Sequence, residues 1–198
     1  DERWHPKMKL RRPSDGATPL FLAAEQNNLP ICRALLARGV DINLGTFEGY
    51  SPLHAASNEG HTNVARFLID AKADLNKVDS NKQTPIVLAA GQGHAKIVRL
   101  LAQAGVKVDT ATRISTANQD EGGETTLHRA CEKGHAEMVG LLLDMDSTGE
   151  MVNSATGQGR TPLIVASEEG QLEVVNILLS KGADVSMTTN AGKTALYM

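Results

Sequence analysis

Aromatic side chains are scarce in this chain: one Trp, two Tyr and three Phe make up 3% of its 198 residues. So few rings are unusual for a β-sandwich or for an enzyme with a deep ligand pocket, where large side chains usually line the interior. Hydrophobic residues still account for 41% of the chain, which excludes a disordered protein. We therefore expect a packed core built from Leu, Ala, Val and Ile.

Cysteines and long apolar runs are also scarce. The two cysteines, Cys32 and Cys131, are too few for a disulfide framework, so we expect reduced core thiols in an intracellular protein, cytoplasmic or nuclear. No apolar stretch approaches the ~20 residues that span a membrane, and the first residues lack a secretory apolar run, so we expect no membrane partner. The chain begins with Asp1 rather than Met, which suggests a fragment of something longer.

Most of the chain lacks a basic surplus. The net charge is −3, and residues 1–12 hold five basic and two acidic side chains, which leaves −6 for the remainder. Nucleic-acid surfaces need Lys and Arg to replace the counterions of the phosphates, so we expect no nucleic-acid partner. Residues 1–14 stand apart as a basic N-terminal segment or linker.

What the chain does contain is one motif repeated along its length. The segments "TPLFLAA", "SPLHAAS", "TPIVLAA", "TTLHRAC", "TPLIVAS" and "TALYM" begin at residues 18, 51, 84, 125, 161 and 194, with spacings of 33, 33, 41, 36 and 33 residues. A fixed period in this range is typical of stacked repeats, and the two longer steps indicate loop insertions at 110–123 and 144–150. Two interpretations of these insertions remain open: tolerated sequence change in a loop, and a loop that contacts a specific partner.

Each unit has the local chemistry of two helices and a hairpin. Thr or Ser is a good helix N-cap, the Pro that follows in four units suits the first helical position, and Gly or Asn nine residues after the cap suits the end of the helix. A second helix with an apolar stripe follows, and an extended hairpin leads to the next cap. One such unit is too thin to bury its own stripe, so the units must stack.

The motif "SPLHAA" at 51–56 and its degraded copies resemble the ankyrin repeat over residues 15–198. The resemblance implies an all-α repeat solenoid of stacked helix–turn–helix–hairpin units. Its five full repeats would span about 15–47, 48–80, 81–121, 122–157 and 158–190, with a truncated sixth at 191–198. Three residues depart from the pattern: Lys82 and Ala73 stand where Gly is expected, at a cost of roughly 1 kcal/mol each in strain, and Thr126 replaces Pro.

The histidines at first indicate a hydrolase or a metal site, because Ser51, His54, Glu59 and His61 lie within one short stretch. However, His54 and His128 share one repeat position, and His61, His94 and His135 share another. A catalytic group occurs once, whereas a structural one recurs, so we interpret these imidazoles as hydrogen-bonding links. We expect no catalytic residues, no metal and no cofactor, and hence no enzyme.

The remaining prediction is a non-catalytic protein–protein interaction module for scaffolding or recruitment, monomeric by itself. The resemblance implies that the partner binds a concave face formed by the hairpin residues before each cap and by the two residues before each helix-closing Gly. The hairpin candidates are Phe47, Glu48, Tyr50, Asn81, Gln83 and Arg160; the helix candidates are Asn58, Glu59, Gln92, Glu132, Lys133, Glu168 and Glu169.

The helix candidates are mainly acidic, which favours a basic or mixed basic–apolar protein or peptide, with ordinary solvated charge as the alternative. For Phe47 and Tyr50, an interface anchor and a ring packed on the adjacent helix are both open. An alternative function is a targeting or regulatory arm of a larger enzyme, ubiquitin ligase or channel. The resemblance also implies that Asn43 and Asn76 are candidates for asparaginyl hydroxylation, although turn stabilisation explains them as well.

Overall fold

The computed structural model describes residues 11–106, 113–114 and 123–197. Among these residues, the chain forms two compact units. Unit 1 contains 11–89 and 96–106, and unit 2 contains 90–95, 113–114 and 123–197. The basic residues 1–10 and most of the insertion at 110–123 lie outside the described residues.

The described elements are short helices in pairs, joined by hairpins. The helices are α1 (Pro19–Glu25), α2 (Leu29–Leu36), α3 (Pro52–Asn58), α4 (Thr62–Asp70), α5 (Pro85–Gly91), α6 (Ala95–Gln103), α7 (Thr126–Glu132), α8 (Ala136–Met145), α9 (Pro162–Glu168) and α10 (Leu172–Ser180). A two-residue strand β1 (Arg113–Ile114) pairs antiparallel with β2 (Glu124–Thr125). A short 3₁₀ helix covers Met151–Asn153.

The repeated Thr or Ser residues cap the first helix as predicted in four of the pairs, whereas the hydroxyl before α5, that of Thr84, is buried without a hydrogen-bond partner among the described residues. The side-chain oxygens of Thr18, Ser51, Thr125 and Thr161 accept a hydrogen bond from the backbone N–H three residues on. Each bond satisfies one of the N–H groups that a helix leaves without a partner at its start. Local sequence therefore sets where these helices begin.

The ends of the helices depend on a left-handed backbone. The predicted stop residues all have positive φ: 56° at Asn27 and 67–79° at Gly60, Gly93, Gly134 and Gly170. Lys82 also adopts the left-handed conformation predicted for it, with φ 57°. The prediction for Ala73 is wrong, because the left-handed residue after α4 is its neighbour Lys72, at φ 66°. Ala73 itself is buried and donates its N–H to the carbonyl of Leu68.

Two layers of helices enclose an aliphatic core in each unit. In unit 1, α1 packs on α3 and α2 packs on α4, while α1–α2 and α3–α4 form the pairs. Unit 2 repeats this arrangement with α7 on α9 and α8 on α10. Leu53 and Leu68 are buried in unit 1, and Leu127 and Leu142 in unit 2. The first helices therefore form one layer of each unit and the second helices the other.

Both cysteines are part of this core. Cys32 and Cys131 are free thiols with no exposed surface. Burial raises the pKa of the Cys131 thiol to about 12 and also raises that of Cys32. Neutral, buried thiols behave as small hydrophobic side chains rather than as nucleophiles.

The insertion at 144–150 has a defined local structure. One carboxylate oxygen of Asp146 accepts the N–H of Thr148 at 2.9 Å, and the other accepts the N–H of Met151 at 2.9 Å. Desolvation opposes the charge of Asp146, but a hydrogen bond from the Thr148 hydroxyl at 2.7 Å, together with these backbone hydrogen bonds, outweighs it and lowers the pKa of the carboxyl group. Met151 and Val152 then turn into the core. Among the described helices, none is long and apolar enough to cross a membrane.

Candidate partner-binding surface

The apparent catalytic residues Ser51 and His54 form a structural link in unit 1. The N–H of Ser51 donates to Nδ1 of His54 at 3.1 Å, and the Ser51 hydroxyl lies 2.7 Å from the same nitrogen. A backbone N–H can only donate, so Nδ1 is the acceptor and Nε2 carries the proton. Nε2 donates it to the carbonyl of Gln83 at 3.0 Å, in the next repeat. His54 is fully buried, and burial lowers its pKa, which keeps the ring neutral.

The same link recurs in unit 2. Nδ1 of His128 accepts the N–H of Thr125 at 3.2 Å, and Nε2 donates to the carbonyl of Arg160 at 3.0 Å. Burial lowers the pKa of His128 to about 4. Both nitrogens of each ring are thus engaged with backbone groups, as expected of a structural link between repeats.

The repeat position of His61, His94 and His135, where the fifth repeat has Gln171, also links neighbouring repeats. Nε2 of His61 donates to the carbonyl of Glu25 at 2.9 Å, and in unit 2 the side chain of Gln171 donates to the carbonyl of Glu132 at 3.3 Å. Each link satisfies a carbonyl near the end of the preceding first helix. Among the described residues, no group of three or more His, Cys, Asp or Glu is arranged to hold a metal ion.

Phe47 is the most exposed aromatic candidate on the hairpin surface of unit 1, at 67%. Its N–H donates to the carbonyl of Asp15 at 2.8 Å, which joins two successive hairpins. Its ring covers Gly16, where a Cβ atom would lie 2.5 Å from the ring, and the guanidinium of Arg11 lies 5.5 Å from the ring centroid. The ring is therefore held in place but remains largely open to solvent.

Tyr50 packs against the first helices instead. Its ring meets that of Phe21 edge-on at 6.1 Å and lies 5.2 Å from the ring of His54. Burial raises the pKa of its hydroxyl, and the charges of Asp79, Glu59 and Glu25 raise it further. The side chain of Tyr50 is therefore half-buried against the core, and its hydroxyl stays neutral near acidic groups.

The other hairpin candidates of unit 1 differ in exposure. Glu48 and Asn81 are exposed, whereas only 9% of Gln83 is accessible, which leaves little of it for a partner. Gln83 and Tyr50 occupy the position directly before a cap, where the chain turns inward. Asp79, which the sequence analysis missed, shapes this hairpin by accepting the N–H groups of Asn81 and Gln83 at 2.9 and 2.8 Å.

The helix candidates of unit 1 form an acidic edge near Tyr50. Glu59 is exposed, and its carboxylate accepts a hydrogen bond from the side chain of Asn58 at 2.8 Å. The charges of Glu59 and Glu25 both act on the Tyr50 hydroxyl. The structure therefore brings Glu25, Glu59 and Tyr50 together on one side of unit 1.

In unit 2 the hairpin and helix candidates partly neutralise each other. Nε of Arg160 donates to the carboxylate of Glu168 at 3.0 Å, and the two side chains form an ion pair. Glu132, Lys133, Glu169 and Gln92 are exposed. The net acidic character of this surface is therefore weaker in unit 2 than in unit 1.

Asn43 links neighbouring hairpins. Its side-chain oxygen accepts the N–H of Asp74 at 2.8 Å, as that of Asn153 accepts the N–H of Asp184 at 2.8 Å in unit 2. The N–H of Asn76 donates to the side chain of Asp74 at 3.0 Å. These bonds give Asn43 a structural role and do not test its hydroxylation.

Comparison with known proteins identifies the repeat. The family described as ankyrin repeats (3 copies) matches residues 4–79, 44–112, 71–150 and 113–189, which together cover most of the chain. The chain belongs to the ankyrin repeat family. Ankyrin repeats are protein–protein interaction modules and in general non-catalytic, so the predicted fold class and the general function are confirmed.

Individual proteins with ankyrin repeats resemble parts of the chain. A human transient receptor potential cation channel, subfamily A member 1, is 37% identical over 43% of this chain and 7% of its own length. The rat nuclear factor NF-kappa-B p105 subunit is 36% identical over 43% of this chain and 9% of its own length. The chain thus spans less than a tenth of either relative.

A solved structure is similar over nearly the whole chain. It is that of the Bd0816 predatory endopeptidase from Bdellovibrio bacteriovorus in complex with immunity protein Bd3460. The TM-score is 0.78 at 26% sequence identity, covering 90% of this ankyrin chain and 88% of the matched chain.

Proposed function

We propose that this ankyrin array binds a basic or mixed basic–apolar protein segment on the hairpin and first-helix surface of unit 1. The exposed ring of Phe47 receives an apolar side chain, and Glu59 and Glu25 attract a nearby cation. The array acts by recruiting or scaffolding that partner, works as a monomer inside the cell and performs no chemistry itself.

One observation carries this proposal: Phe47 is 67% exposed at a hairpin position where the other described repeats have Ser80, Gly157 and Asn190. These polar or small residues show that the repeat does not need a ring there. Exposed aromatic side chains held in a fixed position are the usual anchors of interfaces. The acidic groups near Tyr50, Glu59 and Glu25, favour a partner of opposite charge.

The chain matches only a small part of each relative's length, and this supports a second function. Because relatives such as the cation channel and the p105 subunit are more than ten times longer than the matched region, the array also fits a targeting or regulatory arm of a larger protein. The partner surface would be the same in both cases. Asn43 and Asn76 remain proposed hydroxylation sites, and intact-mass analysis of the cellular protein tests them through a +16 species.

The experiment compares partner affinity with stability. Proteins captured by the immobilised full chain are identified by mass spectrometry, and the strongest is purified. Phe47→Ala should weaken its binding about tenfold and leave the melting temperature nearly unchanged, because the side chain is mostly exposed. Glu59→Lys should weaken binding most at low salt.

Ile31→Ala is the matched control, since Ile31 is an exposed apolar residue of α2 at 48% and lies on the other layer of unit 1. It should leave affinity unchanged. Equal loss of affinity in the control and in Phe47→Ala, or binding that is independent of both Phe47 and salt, would refute the proposed surface.

A further inference from the structure

The second helices of unit 1 carry an arginine at the same position in three successive repeats. Arg33, Arg66 and Arg99 are each the fifth residue of α2, α4 and α6, at a spacing of 33 residues, and all three are exposed. The equivalent residues of α8 and α10 in unit 2 are Gly140 and Asn176. The repeat fold therefore does not require an arginine there.

Two of these arginines line a groove between α2 and α4. The groove has a volume of about 470 Å³, and its apolar walls are Leu29, Phe67 and Ala71. The guanidinium of Arg33 lies 4.7 Å from the centroid of the Phe67 ring. Arg66, Asn63 and Asp70 complete the lining. The groove thus combines apolar surface with two cations.

Both arginines are available to a ligand. Among the described residues, Arg33 and Arg66 take part in no side-chain hydrogen bond and no ion pair, whereas Arg12 pairs with Asp15 and Arg160 with Glu168. The contact with the Phe67 ring helps to hold the Arg33 guanidinium in place, and its N–H groups can bind a carboxylate through two parallel hydrogen bonds.

The charge of this layer differs from that of the surrounding surface. In unit 1 the second helices carry Arg33, Arg66, Lys96 and Arg99 against Asp70, a net charge of +3. In unit 2 they carry Glu137, Asp144 and Glu173, a net charge of −3. The partner for the unit 1 layer is therefore acidic, the opposite of the partner proposed for the hairpin surface.

We infer that the groove between α2 and α4 is a second docking site, which binds an acidic peptide segment through carboxylates on Arg33 and Arg66 and an apolar side chain against Leu29 and Ala71. The apolar walls and Asp70 favour such a peptide over a nucleic acid or an anionic membrane, whose phosphates need an unbroken basic surface. This site lies on the layer of second helices and is independent of the proposed function.

A fluorescein-labelled peptide of alternating Glu and Leu is the probe, titrated with the full chain at low ionic strength and followed by fluorescence anisotropy. Combined Arg33→Glu and Arg66→Glu should weaken binding at least about tenfold. The matched control, combined Arg38→Glu and Lys77→Glu, makes the same charge change in unit 1 outside the groove and should weaken it less than about threefold. Arg66→Gln alone, which leaves the Arg33–Phe67 contact intact, should give an intermediate loss.

Three further measurements separate the alternatives. Combined Arg33→Glu and Arg66→Glu should not weaken the binding of a peptide of alternating Lys and Leu, and Phe47→Ala should leave the binding of the acidic peptide unaffected. Equal weakening by the groove and control variants, or no binding of the acidic peptide, would overturn the inference. The inference would also be overturned if single-stranded DNA or phosphatidylserine vesicles bound more tightly than the acidic peptide, with the same dependence on Arg33 and Arg66. The chain could also dimerise in a concentration-dependent way that combined Arg33→Glu and Arg66→Glu abolishes. That result would assign the groove to a second copy of the chain and would overturn the inference as well.

Discussion

At the scale of single residues, each buried histidine joins two repeats. His54 and His128 accept a backbone N–H of their own cap at Nδ1 and donate from Nε2 to a carbonyl of the next repeat. Only the neutral ring can do both, because a protonated imidazole has no acceptor. Folding of these repeats therefore depends on neutral histidine.

This dependence predicts that acid destabilises unit 2 through His128. Its folded pKa of about 4 lies below the ordinary 6.5, so the unfolded chain takes up a proton first as pH falls. The stabilisation is complete above pH 6.5 and is lost on the way down to about pH 4. Between pH 7 and pH 5 we expect a loss of roughly 2 kcal/mol from this residue, measured by urea unfolding.

The control is His128→Gln, which keeps an acceptor for the cap N–H but does not titrate. It should be less stable than the parent at pH 7 and should show a flatter pH dependence between pH 7 and pH 5. If the parent and the variant lose stability in parallel over this range, His128 does not titrate as described.

Backbone strain at two lysines gives another prediction. Lys72 and Lys82 have φ values of 66° and 57°, a conformation that favours glycine. Lys72→Gly and Lys82→Gly should each raise the free energy of unfolding by about 1 kcal/mol, after the entropy that glycine adds to the unfolded chain. Lys77→Gly is the matched control, since Lys77 has no positive φ, and it should not stabilise. Equal effects at all three lysines would show that strain is not the cause.

The role of a single residue can be predicted from the sequence when its position in the repeat determines that role. The structural role of His54 followed from its recurrence at His128. The strain was assigned to Ala73 instead of Lys72 because the segment "AKADLN" contains no glycine to mark the left-handed residue. The burial of Gln83 was also missed, because its polar type suggested exposure, while its position before the cap turns it inward.

At the scale of elements, the caps decide where helices begin. Helix α7 has its cap, Thr125, but it lacks the proline that follows the cap in the other first helices. Thr126 stands at its first position, where α1, α3, α5 and α9 have Pro. Its hydroxyl is buried, and among the described residues it has no hydrogen-bond partner. Thr126→Pro should raise the free energy of unfolding by about 1 kcal/mol, because it removes that hydroxyl and restricts the unfolded chain. Thermal and urea unfolding measure this gain.

Thr125→Ala is the opposing variant for α7. It removes the oxygen that accepts the N–H of His128 and that lies 2.8 Å from Nδ1 of the same residue, so it should cost about 1–2 kcal/mol. A destabilising Thr126→Pro would mean that the backbone of α7 does not tolerate the ring.

The second helices begin before their apolar stripes do. They start at Thr62, Ala95, Ala136 and Leu172, two residues before Val64, Ile97, Met138 and Val174, where the stripes start. The stripe marks the residues that pack, but a helix begins at the hydrogen bond that closes its first turn, such as that from the N–H of Ala65 to the carbonyl of His61. Sequence periodicity therefore gives the face of a helix more reliably than its boundary.

At the scale of the whole molecule, the overall charge conceals two different surfaces. The mainly acidic helix candidates led to the expectation of a basic or mixed basic–apolar partner alone. The structure separates the acidic edge around Glu59 from the arginines of the second helices in the same unit. The 33-residue spacing of Arg33, Arg66 and Arg99 was visible in the sequence, but only the placement of α2 beside α4 showed the groove.

Fold class and repeat period followed from the sequence because every unit repeats the same local chemistry. The partner surface did not, because interface residues vary independently of the repeat. Phe47 and Tyr50 were equivalent candidates by type, and packing separated them: Tyr50 contacts Phe21 and His54, whereas Phe47 is mostly exposed.

Hydrogen–deuterium exchange of the full chain, alone and with its purified partner, tests the central claim most directly. If the hairpin and first-helix surface of unit 1 binds the partner, exchange should slow at residues 46–50 and 58–60, and at the same subsaturating partner concentration it should slow much less in Phe47→Ala. Slowing confined to α2 and α4, or no slowing within unit 1, would contradict the account.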